Sequence, residues 1–140
     1  MSNGIRMALL AAYFIILPYL SRIGGGLDWV AQYFAPPDKL VFGLLFFGAF
    51  SAIPGIVLAA LLTGRKRNSA MPMVVALLVM TGLTIFFHYD YDLASDAQAA
   101  IWLIIAPFYV AAGGLIAFFA FAGGQWLWQR VAGKQAGGDE

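Results

Sequence analysis

The sequence predicts an all-α integral membrane protein, a bundle of four transmembrane helices with both termini in the cytoplasm. Apolar residues make up 62% of the 140 residues and charged residues 11%, whereas a soluble domain is nearer one half and one quarter. The apolar residues form four long runs, and no Asp, Glu, Lys, Arg or His lies near the middle of any of them. A bilayer core needs roughly 20 apolar residues per helix. The four runs therefore account for one membrane domain over residues 1–131.

The spacing predicts transmembrane helices at about residues 5–22, 39–63, 70–88 and 96–129. The fourth uncharged run is the longest, at roughly 30 residues or about 45 Å of helix, so it must tilt, kink or project from the membrane. Residues that favour helix starts precede each run. These residues are Ser2 and Asn3, then Pro36, Pro37 and Asp38, then Ser69 and Pro72, and finally Ser95, Asp96 and Gln98.

The first run has the charge and length of a secretory signal peptide, because Arg6 precedes an apolar stretch of about fourteen residues. The small-residue cleavage site that should follow is absent at Tyr19–Gly24. We therefore expect an uncleaved first helix. Arg6 and Arg22 lie near its ends, where both side chains can extend to the membrane interfaces.

Basic residues assign the loops to sides of the membrane. Six of the eight Lys and Arg residues fall in the N-terminus, the second loop and the C-terminal tail. The third loop contains acidic residues and no basic one. The positive-inside rule places both termini in the cytoplasm and predicts a bacterial inner (plasma) membrane protein. The residues assigned to the headgroup region on this side are Arg65, Lys66, Arg67, Trp126 and Trp128.

Two further segments lie outside the spans. Residues 27–35 are bounded by glycines and prolines and place apolar side chains on one helical face, which predicts a short helix lying on the outer leaflet. Residues 132–140 are Gly-rich and polar and are expected to form a disordered cytoplasmic tail.

The end of the third run contains the one histidine and several acidic residues. Imidazole and carboxylates can together bind a divalent cation, which makes His88, Asp90 and Asp92 the candidate metal ligands. The simpler interpretation is that acidic residues suit a translocated loop and that the flanking tyrosines suit the interface. The prediction is therefore no resident metal.

Small residues recur at helical spacing in the second and fourth runs. Such residues let helix backbones approach closely in lipid. These residues can mediate packing among the four helices themselves. Alternatively, the small residues on one helix face can bind a partner or a second copy of the chain. The predicted packing positions are Gly48, Ser51, Gly55, Ala59, Gly113, Ala117, Ala120 and Gly124.

Three prolines, Pro18, Pro54 and Pro107, lie inside the runs and are predicted to kink their helices. Broken helices line the substrate sites of some carriers. Polar residues that could accompany them at mid-depth are Ser51, Thr81, Thr84 and Tyr109.

No pattern in the sequence indicates catalysis. There is no cysteine, no phosphate-binding loop and no hydrolase or metalloprotease motif. The prediction is a non-catalytic protein without a cofactor, although Tyr, Trp and Arg at an interface are compatible with quinone binding.

We expect an accessory, assembly or regulatory subunit that packs against a membrane-protein partner or forms a homo-oligomer, with no nucleic-acid partner. The alternative is an oligomeric channel or facilitator for a neutral or lipid-like solute without ion coupling.

Overall fold

Four long helices form the structure, a computed structural model that describes residues 2–34, 40–63, 70–89, 92 and 99–136. Within these ranges four helices are long and apolar enough to cross a membrane, and there is no strand. The prediction of a helical multi-pass membrane protein is confirmed. In lipid, a helix satisfies its own backbone hydrogen bonds, which is why apolar runs of this length become helices.

The first span is helix α1, Asn3–Arg22, and it contains Pro18. The side chain of Ser2 caps it by accepting a hydrogen bond from the Ile5 backbone N–H at 3.3 Å. A 3₁₀ turn over Ile23–Gly25 follows, and the chain then reverses at a glycine.

A short helix, α2, covers Leu27–Ala31, and a 3₁₀ turn covers Gln32–Phe34. Gly26, which precedes α2, has φ of +96°, a conformation that glycine adopts without steric cost. Residue 35 lies outside the described ranges, and the position of α2 on the outer leaflet stays a prediction.

The second span consists of two helical segments, α3 (Leu40–Ser51) and α4 (Ile53–Thr63), with a turn at Ala52. Pro54 lies just after the turn and lacks a backbone N–H, so it frees the carbonyl of Phe50 four residues earlier. Hydrogen bonds on either side remain, from Ala52 N–H to Gly48 and from Ile56 N–H to Ala52, both at 3.0 Å.

The third and fourth spans are α5 (Ala70–Tyr89) and α6 (Ala99–Ala136), and they share the most extensive helix contact in the described chain. Helix α1 packs mainly on α4 and α5. Side chains from all four spans meet between these helices in one apolar core. Its buried members are Phe14, Leu17, Leu58, Ala76, Met80, Val110 and Phe118.

Helix α6 extends beyond the bundle. Its apolar part, Ile101–Ala132, has 32 residues, or about 48 Å at 1.5 Å per residue. Phe118 is its last buried residue among those described, and residues 123–132 are all exposed. The helix also includes residues 132–136, which were expected to be disordered. Residues 137–140 of that tail lie outside the described ranges.

Candidate functional site

A buried arginine lies where α1 ends. Arg22 is the last residue of α1 and has no exposed surface. Its Nε donates to the Trp29 carbonyl at 2.9 Å, and its Nη2 donates to Gln32 Oε1 at 2.7 Å. The Arg22 side chain is therefore covered by protein and not by solvent, and its depth relative to the membrane interface stays a prediction. The first loop folds back over the guanidinium and supplies the hydrogen-bond acceptors that water would otherwise provide.

Arg22 also joins the first loop to the end of α5. Its Nη1 donates to the His88 carbonyl at 3.3 Å, and the Trp29 indole N–H donates to the Tyr89 carbonyl at 3.2 Å. The last four carbonyls of a helix have no intrahelical partner, and this end of the helix dipole favours a cation. These two donors therefore cap α5 from another part of the chain.

Two aromatic rings enclose the guanidinium. The Arg22 Cζ atom lies 4.5 Å from the ring centroid of Trp29 and 4.5 Å from that of Tyr33. Both distances fit cation–π contacts, which are strongest where the cation is desolvated. The charge of Arg22 is therefore held by carbonyls, an amide and two ring faces.

The candidate metal ligands His88 and Asp92 contact different residues of the first loop. His88 is 3% exposed, and its Nδ1 is hydrogen-bonded to the Tyr33 hydroxyl. Asp92 Oδ1 accepts from Gln32 Nε2 at 3.2 Å, so the Gln32 amide lies between the guanidinium and this carboxylate. Asp90 lies outside the described residues. Within the described ranges no cluster of three or more His, Asp or Glu side chains could hold a metal ion.

Two adjoining crevices lie beside the His88 imidazole. The first, here called the tyrosine crevice, and the second, the proline crevice, each have a cavity volume of about 10 Å³, which is room for about one water molecule. Both are lined by Pro18, Ser51 and His88. The tyrosine crevice adds Tyr19, Tyr33, Phe47 and Leu103, and the proline crevice adds Phe14, Pro54, Thr84, Pro107 and Val110.

All three predicted kink positions, Pro18, Pro54 and Pro107, line the proline crevice, and they come from three different spans. Each proline removes the hydrogen bond to the carbonyl four residues before it. In a membrane, such carbonyls are satisfied by neighbouring side chains, water or ligand. The three positions were predicted separately, and the sequence does not indicate that they meet beside one histidine.

Only some of the predicted polar residues reach these crevices. Thr84 lines the proline crevice and donates to the Met80 carbonyl at 2.8 Å. Thr81 instead pairs with Tyr13, oxygen to oxygen at 3.1 Å. Tyr109 is 58% exposed and its ring stacks near that of Trp102.

No protein-family model, curated protein or solved structure matches this chain.

The predicted small residues fall into two groups. A Cβ atom added to Gly55 would lie 2.4 Å from the Leu10 carbonyl oxygen, so α4 contacts the backbone of α1 there. A Cβ on Gly113 would lie 2.5 Å from Leu83 Cδ1. A Cβ on Gly114, which is not among the predicted positions, would lie 2.2 Å from Met80 Cε. Gly48 has only an ordinary contact, Ala59 is buried, and Ser51 and Ala117 are half-buried.

The second group, Ala120 and Gly124, is exposed, and a Cβ on Gly124 would meet nothing within 4 Å. Trp126 and Trp128 lie beyond them and are 50% and 75% exposed. The Arg130 guanidinium stacks over the Trp126 ring at 3.8 Å. The predicted headgroup residues Arg65, Lys66 and Arg67 lie outside the described residues.

The chemistry available at the His88 end is hydrogen bonding. The Ser51 hydroxyl and the His88 Nε2 have no hydrogen bond to any described residue, and both residues line both crevices. The donors of Arg22 are directed at the loop and the end of α5. The crevices therefore offer neutral polar groups to a molecule no larger than water, whereas the guanidinium links the first loop to the end of α5.

Proposed function

We propose that the protein is a small non-catalytic inner-membrane subunit with an accessory, assembly or regulatory role, acting through helix packing with a membrane partner. The observation that supports this proposal is the projecting segment of α6, defined as residues 123–132. Every residue in it is exposed. Its large apolar side chains, Trp126, Leu127, Trp128 and Val131, are at least half exposed and no described part of the chain covers them, so the membrane interface or another protein can do so.

The surface of this segment suits another apolar helix. Gly123 and Gly124 have open space where a Cβ would stand, which permits close backbone approach. A shallow groove with a volume of about 460 Å³ lies beside them. It is lined by Ala120, Phe121, Gly124, Gln125, Trp128 and Gln129. The glutamine amides can form hydrogen bonds across a helix pair, so the preferred partner is a helix of a membrane protein with small and polar residues on one face near the headgroups.

Substituting Gly124 with leucine is expected to release the partner, because the new side chain fills the position of closest approach. In native-host purification in mild detergent, recovery of the partner should fall at least tenfold, while the thermal stability of the protein itself stays unchanged. Intact-complex mass identifies whether the partner is another protein or a second copy. Gly82→Leu is the matched control, since Gly82 is also an exposed helical glycine without neighbours.

Equal recovery of the complex with Gly124→Leu and with the native chain would contradict this docking site.

The alternative function, an oligomeric channel or facilitator for a neutral or lipid-like solute, is favoured by the crevices beside the three prolines. Solute flux through liposomes that contain only the purified protein, above the flux of empty liposomes, would support the alternative and oppose the accessory role.

The proposed orientation places both termini in the cytoplasm. A green fluorescent protein fused after residue 136 should fluoresce, and alkaline phosphatase fused within residues 65–67 should be inactive, because both report the cytoplasmic side. Phosphatase fused after residue 92 should be active. An active phosphatase at residues 65–67 would reverse the topology and assign the His88 end of the bundle to the cytoplasm.

A further inference from the structure

Two hydroxyl groups form a polar pair on the outer surface of the bundle. Tyr13 lies near the middle of α1 and Thr81 near the middle of α5, each of these helices having 20 residues. The two hydroxyl oxygens lie 3.1 Å apart, and their contact is exposed. The Tyr13 ring meets the buried ring of Phe14 edge to face, at 5.1 Å between centroids. The pair is therefore held in place at a depth where lipid offers no hydrogen-bonding group.

The hydroxyl pair does not use its full hydrogen-bonding capacity. In a contact between two hydroxyls one group donates and the other accepts, so one proton remains. Among the described residues neither Tyr13 nor Thr81 has a further hydrogen-bond partner. Thr84, one turn along the same helix, instead donates to the Met80 carbonyl, which is a common arrangement for a threonine inside a helix. The Tyr13 and Thr81 pair thus presents a donor and free acceptor positions to its surroundings.

Apolar side chains flank the pair on both helices. An exposed leucine or isoleucine lies one turn before and one turn after each hydroxyl residue, with exposed fractions from 39% to 64%. Together with the pair they form a surface, here called the α1/α5 face, which consists of Leu9, Tyr13, Ile16, Leu78, Thr81 and Ile85. Lipid tails are as apolar as leucine, so these aliphatic side chains do not favour protein over lipid. The hydroxyls do, because only a polar group of a protein can complete their hydrogen bonds at this depth.

A second copy of the same face complements the hydroxyl pair. Two-fold symmetry about an axis along the membrane normal keeps both copies in one orientation and brings the two pairs together. Each of the four hydroxyls can then donate one hydrogen bond and accept one, which closes a ring and leaves no proton unpaired. We propose that the α1/α5 face binds a second copy of this chain in a two-fold dimer joined by this ring. The dimer goes beyond the accessory role and does not depend on it, since the projecting segment of α6 is a different surface.

The test measures association of the purified full chain in liposomes by energy transfer between donor-labelled and acceptor-labelled copies. Dilution with lipid should reveal a saturable dimer with one dissociation constant. Tyr13→Phe and Thr81→Val should each weaken the dimer about tenfold, because either change removes two hydrogen bonds between the copies. Because both changes break the same ring, the double variant should be weakened far less than the product of the two single effects.

Tyr109→Phe is the matched control for Tyr13→Phe. Tyr109 is 58% exposed on α6, and its hydroxyl has no hydrogen bond among the described residues, so its removal should leave the dimer affinity unchanged. Equal affinity in the native chain, Tyr13→Phe and Thr81→Val would overturn the proposal, as would energy transfer no greater than random proximity produces. Loss of the dimer with Gly124→Leu but not with Tyr13→Phe would assign the second copy to the projecting segment and would also overturn it.

Cysteine cross-linking locates the contact without altering the hydroxyl pair. The chain has no native cysteine, so a single introduced cysteine reports on one position. Ile16→Cys should form a disulfide-linked dimer under mild oxidation, because Ile16 lies one turn from Tyr13 and beside the proposed axis. Ile116→Cys is the control, since Ile116 is 70% exposed on α6 and lies outside the α1/α5 face. Equal cross-linking at the two positions would contradict a dimer through this face.

Discussion

Replacing Arg22 with alanine is expected to destabilise the folded bundle by about 3 kcal/mol, because a buried hydrogen-bonding group that loses its partner costs about 1–3 kcal/mol. The substitution leaves the Trp29 carbonyl, the His88 carbonyl and the Gln32 amide without their donors. It also removes the guanidinium between the Trp29 and Tyr33 rings. The measurement is reversible unfolding in detergent, followed by helix content and by tryptophan fluorescence.

Two variants separate the geometry of Arg22 from its charge. Arg22→Lys keeps a cation but loses the planar fork that reaches several acceptors, so it should be destabilised nearly as much as Arg22→Ala. Arg6→Ala is the control, since Arg6 lies on the same helix and is exposed. If Arg22→Ala unfolds at the same denaturant concentration as the native protein, the buried cluster does not stabilise the fold.

The second large effect is expected at Gly55. Substitution by alanine would place a Cβ 2.4 Å from the Leu10 carbonyl oxygen and 2.8 Å from the Ala11 nitrogen. Both neighbours are backbone atoms, so α1 and α4 must separate along their contact. Overpacking a well-packed interior costs about 1–3 kcal/mol, and Gly55→Leu should prevent assembly of the bundle.

Two glycine substitutions provide the comparison for Gly55→Ala. A Cβ on Gly48 would make an ordinary contact with Ile15 at 3.8 Å, and one on Gly82 would meet nothing. Because alanine is favoured over glycine in a helix by roughly 0.5–1 kcal/mol, Gly48→Ala and Gly82→Ala should be neutral or slightly stabilising. Native-like unfolding of Gly55→Ala would show that α1 and α4 do not contact each other closely at Gly55.

Hydropathy was sufficient to predict the spans because the bilayer imposes a strong constraint on backbone hydrogen bonding. It could not predict the environment of Arg22. The sequence shows an arginine at a helix end, where extension to the interface is common, whereas its acceptors lie on a loop and on a helix that begins 48 residues later at Ala70. A buried cation of this kind depends on tertiary contacts between segments that are distant in sequence.

The crevices show a similar limit. The sequence predicts a kink at each proline, but which sides of the helices meet depends on helix rotation, which weak amphipathicity does not determine. Ser51 and Thr84 reach the interior, whereas Thr81, three residues before Thr84, pairs with Tyr13 instead. The sequence therefore identified several components of the site without indicating their arrangement.

The capping of α5 by Arg22 and Trp29 has a consequence for biosynthesis. The chain emerges from the ribosome N-terminus first, so α1 and the first loop enter the membrane before the His88 and Tyr89 carbonyls exist as acceptors. During this interval Arg22 can pair with Trp29 and Gln32, which lie within ten residues of it. The first loop can thus shield the Arg22 charge before the third span is synthesised. The His88 carbonyl on that span then becomes available as a further acceptor. A chain truncated before residue 70 would retain an Arg22 that lacks its His88 acceptor.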